Sequence, residues 1–485
     1  MHDNRLIDQD QTPNKCTSSK PVGALRFFLL FILLLIGSTK LWSQGYHFTV
    51  SLKNCPDSTL ILYRYFGNEE IMEDNGSRIK GQYEFTSTDP FIKGLYKIAW
   101  QNNKHYFDLF LVNSIPFKIE CDSRNIMETI KFEDSEENKI LYDYLAFFKS
   151  HLKTQMHNDA DDTLCDILEK TDFKDKTILT YTNQLLSKYS SLLSVRFMQA
   201  FIVPKPSELS EPGKHRASTL TVQSSMKQFF AHFDFADPRL VSSPAFPSLA
   251  DNYFDQYVEK NADSIKAATD LLLSLSSKNK ESQKAAAWLL AVKFSNYYYL
   301  PGYDEAYVHI IENYLKPDKI PWYYPETKDR DIKRAEQLNK LFSGKTAPDM
   351  TMPDMNNDPR ELNKINANYI LLLFWASSCS HCRDDMPKII AAYKKLHDAH
   401  KFEIFAVSTD TSVTRWKNYI MLYKLPWINV FGRKASKGDY FDLYHIQSTP
   451  TMFLLDEKKR IIAKYISVND IEKYINRPEM TDNEY

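Results

Sequence analysis

Three regimes of hydrophobic patterning succeed one another along the chain. From Tyr46 to about Glu133, apolar and polar residues alternate in His47–Leu52, Thr59–Tyr65, Gln82–Thr86, Leu95–Trp100, Phe107–Val112 and Pro116–Cys121. Side chains two apart share one face of a strand, so these runs predict short, half-buried strands. Turn-forming clusters at Asn54–Ser58 and Glu73–Ser77 separate them, which suggests an antiparallel sandwich or barrel-like domain. From about Ser135 the period lengthens to three or four. Helices are predicted over Asn138–Leu152, Asp161–Lys170, Lys176–Ser190, Val222–Phe233, Leu249–Asn261, Ser264–Ser276, Lys280–Leu300, Asp304–Leu315 and Lys328–Phe342. Gly344 stops the last of these and Pro348 prevents its resumption.

Beyond that point strands and helices alternate. Tyr369–Phe374, Phe402–Val407 and Trp427–Val430 read as strands, and Thr451–Leu455 with Arg460–Ile466 as a closing hairpin. Helices are predicted after Cys379, over Val413–Tyr423 with Asp410 or Ser412 as cap, over Gly438–Tyr444 and over Val468–Ile475. Such alternation implies a mainly parallel sheet with right-handed crossovers. The chain therefore divides into a leader (residues 1–44), an all-β, sandwich-like domain (45–134), an all-α domain (135–342) and an α/β domain (343–485).

Composition narrows the classes. A net charge of −1 over 485 residues gives none of the concentrated basic surface that a nucleic-acid partner requires. With only 12 glycines, turns depend on Asn, Asp, Ser and Pro. Six cysteines are too few for a disulfide scaffold at this length. Cys55 and Cys121 fall in one predicted domain, where two buried free thiols are preferred over a bridge. Trp288, Tyr297, Tyr298 and Tyr299 are read as helix-packing aromatics. Phe27–Ile36 is an uninterrupted apolar run with Lys20 and Arg26 before it and small residues after it. That pattern predicts a secretory signal, hence a mature protein in the periplasm or cell envelope. An uncleaved membrane anchor stays open.

The chemistry concentrates at Tyr369–Pro387, YILLLFWASSCSHCRDDMP. A buried strand, a short turn and then Cys379-Ser380-His381-Cys382 open an amphipathic helix, with Met386, Ile389, Ile390, Tyr393 and Leu396 on its apolar face. A thiol at a helix N-terminus faces unpaired amides and the positive end of the helix dipole, which stabilise its thiolate. The thiolate is the reactive form. Cys382 follows one turn later, close enough to form a disulfide. Downstream, Thr449-Pro450 directly precedes a strand. A cis bond there would present the Thr449 backbone to a substrate chain.

From about Lys345 to Asn476 the chain resembles the thioredoxin-fold domain of the TlpA/ResA-like thiol–disulfide oxidoreductases. The matching residues are Ala347-Pro348-Asp349, Phe374–Cys382 (FWASSCSHC), Asp385, Pro387, Val407-Ser408-Thr409-Asp410 and Thr449-Pro450. Ser378, His381 and Asp385 stand where the family often has Trp, Pro and Glu. The resemblance implies a redox-active Cys379–Cys382 disulfide and no other cofactor. Cys379 would be the nucleophile and Cys382 the resolving thiol. His381 would stabilise the thiolate and Asp385 would relay a proton, against the plainer readings of a solvated imidazole and a first-turn carboxylate. Thr449, Pro450 and Trp375 would line the substrate surface, with core packing the favoured alternative for Trp375. Partners would be thiols and disulfides of envelope proteins, with a membrane electron donor of the DsbD type and a lean towards reduction. Two other readings remain: a redox-inert, partner-binding scaffold, and a copper or zinc carrier using the same cysteines, although no second C-x-x-C completes a zinc site.

Overall fold

The computed structural model describes residues 42–43, 45–151, 164–171, 173, 175–204, 225–317, 320–432, 434–435 and 438–476. The expected leader, apart from two strand residues, and the start of the helix expected at Val222 lie outside them.

Eight strands form the N-terminal sheet: β1 Tyr46–Lys53, β2 Thr59–Phe66, β3 Glu69–Ile79, β4 Gln82–Ser87, β5 Gly94–Trp100, β6 His105–Leu111, β7 Phe117–Asp122 and β8 Lys131–Glu133. Their spatial order is β8-β7-β1-β4-β3-β2-β5-β6. All neighbours are antiparallel except β1 and β7, which run parallel. The expected sandwich is realised as one sheet curled over its own apolar face, because Phe48, Leu60, Phe85, Ile98, Leu109 and Ile119 meet in a single core.

The turn expected at Glu73–Ser77 is instead the interior of β3. Its sequence is polar and mostly exposed, so no alternation marks it, and the ladders to β2 and β4 hold it. Gly76 permits this pairing, since a Cβ there would lie 2.7 Å from the Phe85 ring.

The central region is helical: α1 Glu136–His151, α2 Lys176–Tyr189, α3 Leu193–Ala200, α4 Ala245–Tyr257, α5 Ala262–Leu275, α6 Lys280–Asn296, α7 Tyr303–Ile310 and α8 Pro325–Asn339. Helix α3 is new relative to the sequence expectation. Its N-terminus is capped from α1, where the Glu137 carboxylate accepts from the amides of Leu193 and Ser194, each at 2.8 Å. The sheet and the helices share a core, in which Leu95 of β5 and Phe110 of β6 pack with Phe197 and the aromatics of α4.

The C-terminal domain is built on β9 Tyr369–Trp375, α9 Ser380–His400, β10 Phe402–Ser408, α10 Val413–Tyr423, β11 Ile428–Phe431, α11 Tyr440–Tyr444, β12 Thr451–Asp456, β13 Ile461–Lys464 and α12 Ile471–Ile475. The five-stranded sheet has the order β11-β10-β9-β12-β13. Strands β9, β10 and β11 are parallel, β12 pairs antiparallel with β9, and β13 pairs antiparallel with β12. Because β9 is covered on both faces it is continuously apolar. Leu371, Leu373 and Trp375 join α9, α10 and α12 in one core, while Ile370, Leu372 and Phe374 join α11 in the other. Parallel strands put the C-terminal end of β9, and the start of α9, at one edge of the sheet.

Candidate active site

Cys379 is the N-cap of α9, and its Sγ accepts a hydrogen bond from the Cys382 amide at 3.4 Å. The helix forms because its apolar positions, Cys382, Met386, Ile389, Tyr393 and Leu396, are spaced to bury one face. It ends at Lys401 in the left-handed conformation. Cys379 is half-buried, whereas Cys382 is 1% exposed and packs in the core with Trp375 and Met386.

The turn before Cys379 is fixed from below. Asp410 accepts from the Ser377 amide (2.8 Å), the Ser377 hydroxyl (2.9 Å) and the Ser408 hydroxyl (3.0 Å). The Thr409 amide donates to the Trp375 carbonyl at 2.7 Å, and Arg383 Nη1 donates to the Ser378 carbonyl at 3.1 Å. The helix α10 is capped by Ser412, whose side chain accepts from the Arg415 amide. Asp410 is thereby released to hold the cysteine turn, a role that sequence reading missed. The signal was available in Val407-Ser408-Thr409-Asp410, but the local cap reading competed with it.

The second wall of the site is the loop before β12. The Thr449–Pro450 peptide bond is cis. The Thr449 carbonyl oxygen lies 3.2 Å from Cys379 Sγ. Cys379, Thr449 and Pro450 are thus brought together, 70 residues apart in sequence.

The two thiols are driven apart electrostatically. Partial burial by itself raises the Cys379 thiol, but hydrogen bonding from the side chains of Thr449 and Cys382 and from the amides of Cys382 and His381 outweighs it, and the net direction is down. Burial pushes Cys382 up to about 12, and the neighbouring Cys379 adds to this. A half-buried, acidified sulfur therefore sits above a fully buried, protonated one, which suits stepwise thiol–disulfide exchange.

The remaining expected residues lie further out. His381 is exposed, and its backbone amide is one of the groups that lower the Cys379 thiol. The Asp385 carboxylate is engaged by Lys388 Nζ at 2.8 Å. Trp375 is 1% exposed and packs on Tyr419 with ring centroids 5.3 Å apart. Its indole is enclosed by the core, the alternative favoured from the sequence over a place on the substrate surface. Among the described residues no three His, Cys, Asp or Glu side chains converge as a metal-binding group.

Residues 366–461 match the Thioredoxin-like family. The thiol–disulfide oxidoreductase ResA of Bacillus cereus is 27% identical over 142 residues, which are 28% of this chain and 79% of ResA. The thioredoxin-like protein YneN of Bacillus subtilis is 29% identical over 121 residues, 24% of this chain and 68% of YneN. Among solved structures, the thioredoxin domain of a thiol–disulfide oxidoreductase from Bacteroides vulgatus is 32% identical, with 28% of this chain and 99% of that one covered and a TM-score of 0.26. The C-terminal domain is therefore thioredoxin-like and is similar in sequence to the thiol–disulfide oxidoreductase ResA.

Proposed function

We propose that the protein is exported and exchanges disulfides with proteins of the cell envelope through Cys379 and Cys382. The Cys379 thiolate attacks one sulfur of a substrate disulfide. A mixed disulfide forms and the other substrate sulfur leaves as a thiolate, which takes up a proton. The Cys382 thiol then loses its proton and attacks Cys379 Sγ, releasing the second substrate sulfur and leaving a Cys379–Cys382 disulfide. Two electrons have passed to the substrate, and a dithiol donor of the DsbD type at the membrane returns them. Thr449 and Pro450 align the substrate backbone beside Cys379. His381, exposed over the helix mouth, favours the thiolate when protonated. Asp385 serves as proton relay to Cys382 once freed from Lys388.

The observation that carries this reading is the opposed bias of the two thiols at one helix mouth, one lowered and half-exposed, the other raised and buried. The resemblance to ResA leans the direction towards reduction. Export rests on the apolar run Phe27–Ile36 and its basic flank. Among the described residues no helix is long and apolar enough to cross a membrane.

Replacing Cys382 by Ser should trap mixed disulfides on Cys379, whereas the Cys379→Ser, Cys382→Ser pair should trap none. Failure of the reduced protein to link Cys379 to Cys382 on gentle oxidation overturns the assignment. In a redox titration, a potential close to about −120 mV, that of a strong oxidant, overturns the reductase direction alone.

A further inference from the structure

Helix α8 turns one face towards the redox domain. Arg330, Lys333, Arg334 and Gln337 share that face at the three- and four-residue spacing of a helix, and opposite them runs the segment from Phe441 to Gln447. Between the two lies a cavity of about 610 Å³. That volume is in the range of about 300–1,000 Å³ that small-molecule sites occupy.

The polar groups of this cavity are incompletely satisfied. Arg334 Nη2 donates to the Ser295 carbonyl at 2.8 Å and Nη1 donates to the Ser295 hydroxyl. Its guanidinium lies 5.5 Å from the Tyr298 ring and 5.2 Å from the Tyr307 ring. Yet its Nε is buried without a partner, and among the described residues no carboxylate pairs with it. His445 lines the same cavity, is 7% exposed, and its Nε2 likewise has no partner. Burial, and then the charge of Arg334, hold this imidazole down at about 4, so it is neutral at physiological pH.

The two carboxylates of the lining are already engaged. Asp331 accepts from the Tyr323 hydroxyl at 2.7 Å, and Asp442 accepts from Gln337 Nε2 at 3.5 Å. Three cations, Arg330, Lys333 and Arg334, thus face a cavity with two engaged anions, of which Asp331 also lies 3.9 Å from Arg330. A half-buried guanidinium with its Nε enclosed and no carboxylate partner is costly, and a bidentate oxyanion is what its geometry accepts best.

We propose that this cavity is a binding site for a small oxyanion, a carboxylate or a phosphate, with Arg334 as its charged floor and His445 Nε2–H as a second donor. Lys333 and Arg330 form its cationic rim. The ligand would sit across the seam between the helical and redox domains. It would touch Gln447, two residues before Thr449, and so would hold the cis-proline loop against α8. None of this depends on the redox reading, because none of these groups takes part in thiol exchange.

The test is isothermal titration of the full chain with citrate, with glycerol 3-phosphate and with glycerol as a neutral control. At least one oxyanion should saturate while glycerol does not, and which one does identifies the headgroup. Arg334→Gln should weaken that binding roughly tenfold or more, the loss expected for one charge-assisted pair. Because Arg334 also holds Ser295, circular dichroism must show that variant folded. The rim variant Arg330→Gln, Lys333→Gln, which leaves the bonds of Arg334 intact and removes only the pairing of the exposed Arg330 with Asp331, should weaken binding several-fold and flatten its salt dependence. Absence of saturation by both oxyanions, or unchanged affinity in the folded variants, overturns the proposal.

Discussion

Lys464 of β13 reaches out of the redox domain and pairs with Asp304 at the start of α7, Nζ to Oδ2 at 2.5 Å, with side chains 9% and 0% exposed. Glu305 lies 3.9 Å from the same ammonium. Burial pushes the Asp304 carboxyl up, and the attraction of Lys464 only partly reverses this. The pair therefore fixes how the two domains meet more than it stabilises them.

Removing one partner should be far worse than removing both. Asp304→Leu leaves a buried ammonium and should cost about 3–5 kcal/mol, whereas Asp304→Leu with Lys464→Met should recover most of that loss. Urea denaturation of the three proteins checks this, and equal stability of the single and double variants would refute it. The pH dependence follows from the upward shift. The fold binds the Asp304 proton more tightly than the unfolded chain does, so this contribution is complete below the ordinary carboxyl pKa. It is lost as pH rises through the raised one. The Asp304→Leu, Lys464→Met variant should lack that part of the decline.

Thiol reactivity should separate the cysteines. Since the Cys379 pKa is lowered, its thiolate persists below the ordinary thiol value of 9.0, and its rate of iodoacetamide labelling should level off below that pH. Cys382 and Cys121, both pushed up to about 12, should label only in strong alkali or on unfolding. Peptide mapping after timed alkylation at mildly acidic pH reads this directly. Equal labelling of Cys379 and Cys121 would contradict it.

Asp410 should matter to that reactivity without touching sulfur. Asp410→Ala leaves the Ser377 amide, in a residue 5% exposed, with no acceptor at that position. An orphaned buried donor costs about 1–3 kcal/mol, and the turn can relax to avoid it. The expected outcome is a Cys379 pKa that climbs back towards 9.0, seen as a labelling profile displaced to higher pH. Asp410→Asn keeps an acceptor and should restore most of the profile. A variant that is less stable but has an unmoved profile would make Asp410 merely structural.

What the sequence disclosed was local. The unbroken apolar run of β9, the thiols one turn apart and the proline before β12 each lie within a few residues of what they determine, so their chemistry is readable from spacing. Strand β3 was hidden because backbone ladders, not burial, hold its polar residues. Asp410 was ambiguous because its partner Ser377 is 33 residues away while a helix to be capped is adjacent. Trp375 was ambiguous because strand alternation does not say which of two covered faces meets solvent. Lys464 and Asp304, 160 residues apart, carry no mark of one another.

Asn138 makes the most exacting test of how the first two domains are joined. Strand β6 ends the N-terminal sheet, and its outer edge would expose unpaired backbone groups. At Phe110 the fully buried Asn138 side chain takes the place of a neighbouring strand: Oδ1 accepts from the Phe110 amide at 2.6 Å and Nδ2 donates to the Phe110 carbonyl at 2.9 Å. Asn138→Leu strands both groups and should cost about 1–3 kcal/mol for each. Asn138→Asp is the sharper variant, because its carboxylate can still accept from the amide but meets the carbonyl as oxygen against oxygen. Protonation restores a donor, so the folded pKa of the new carboxyl must lie above its unfolded value. Its stability should then approach that of the wild type in acid and fall as pH rises through the shifted pKa. Thermal melts of Asn138→Asp and wild type across pH 4–8 should diverge towards the neutral end, and parallel curves would mean that the amide pairing at Phe110 does not hold the edge.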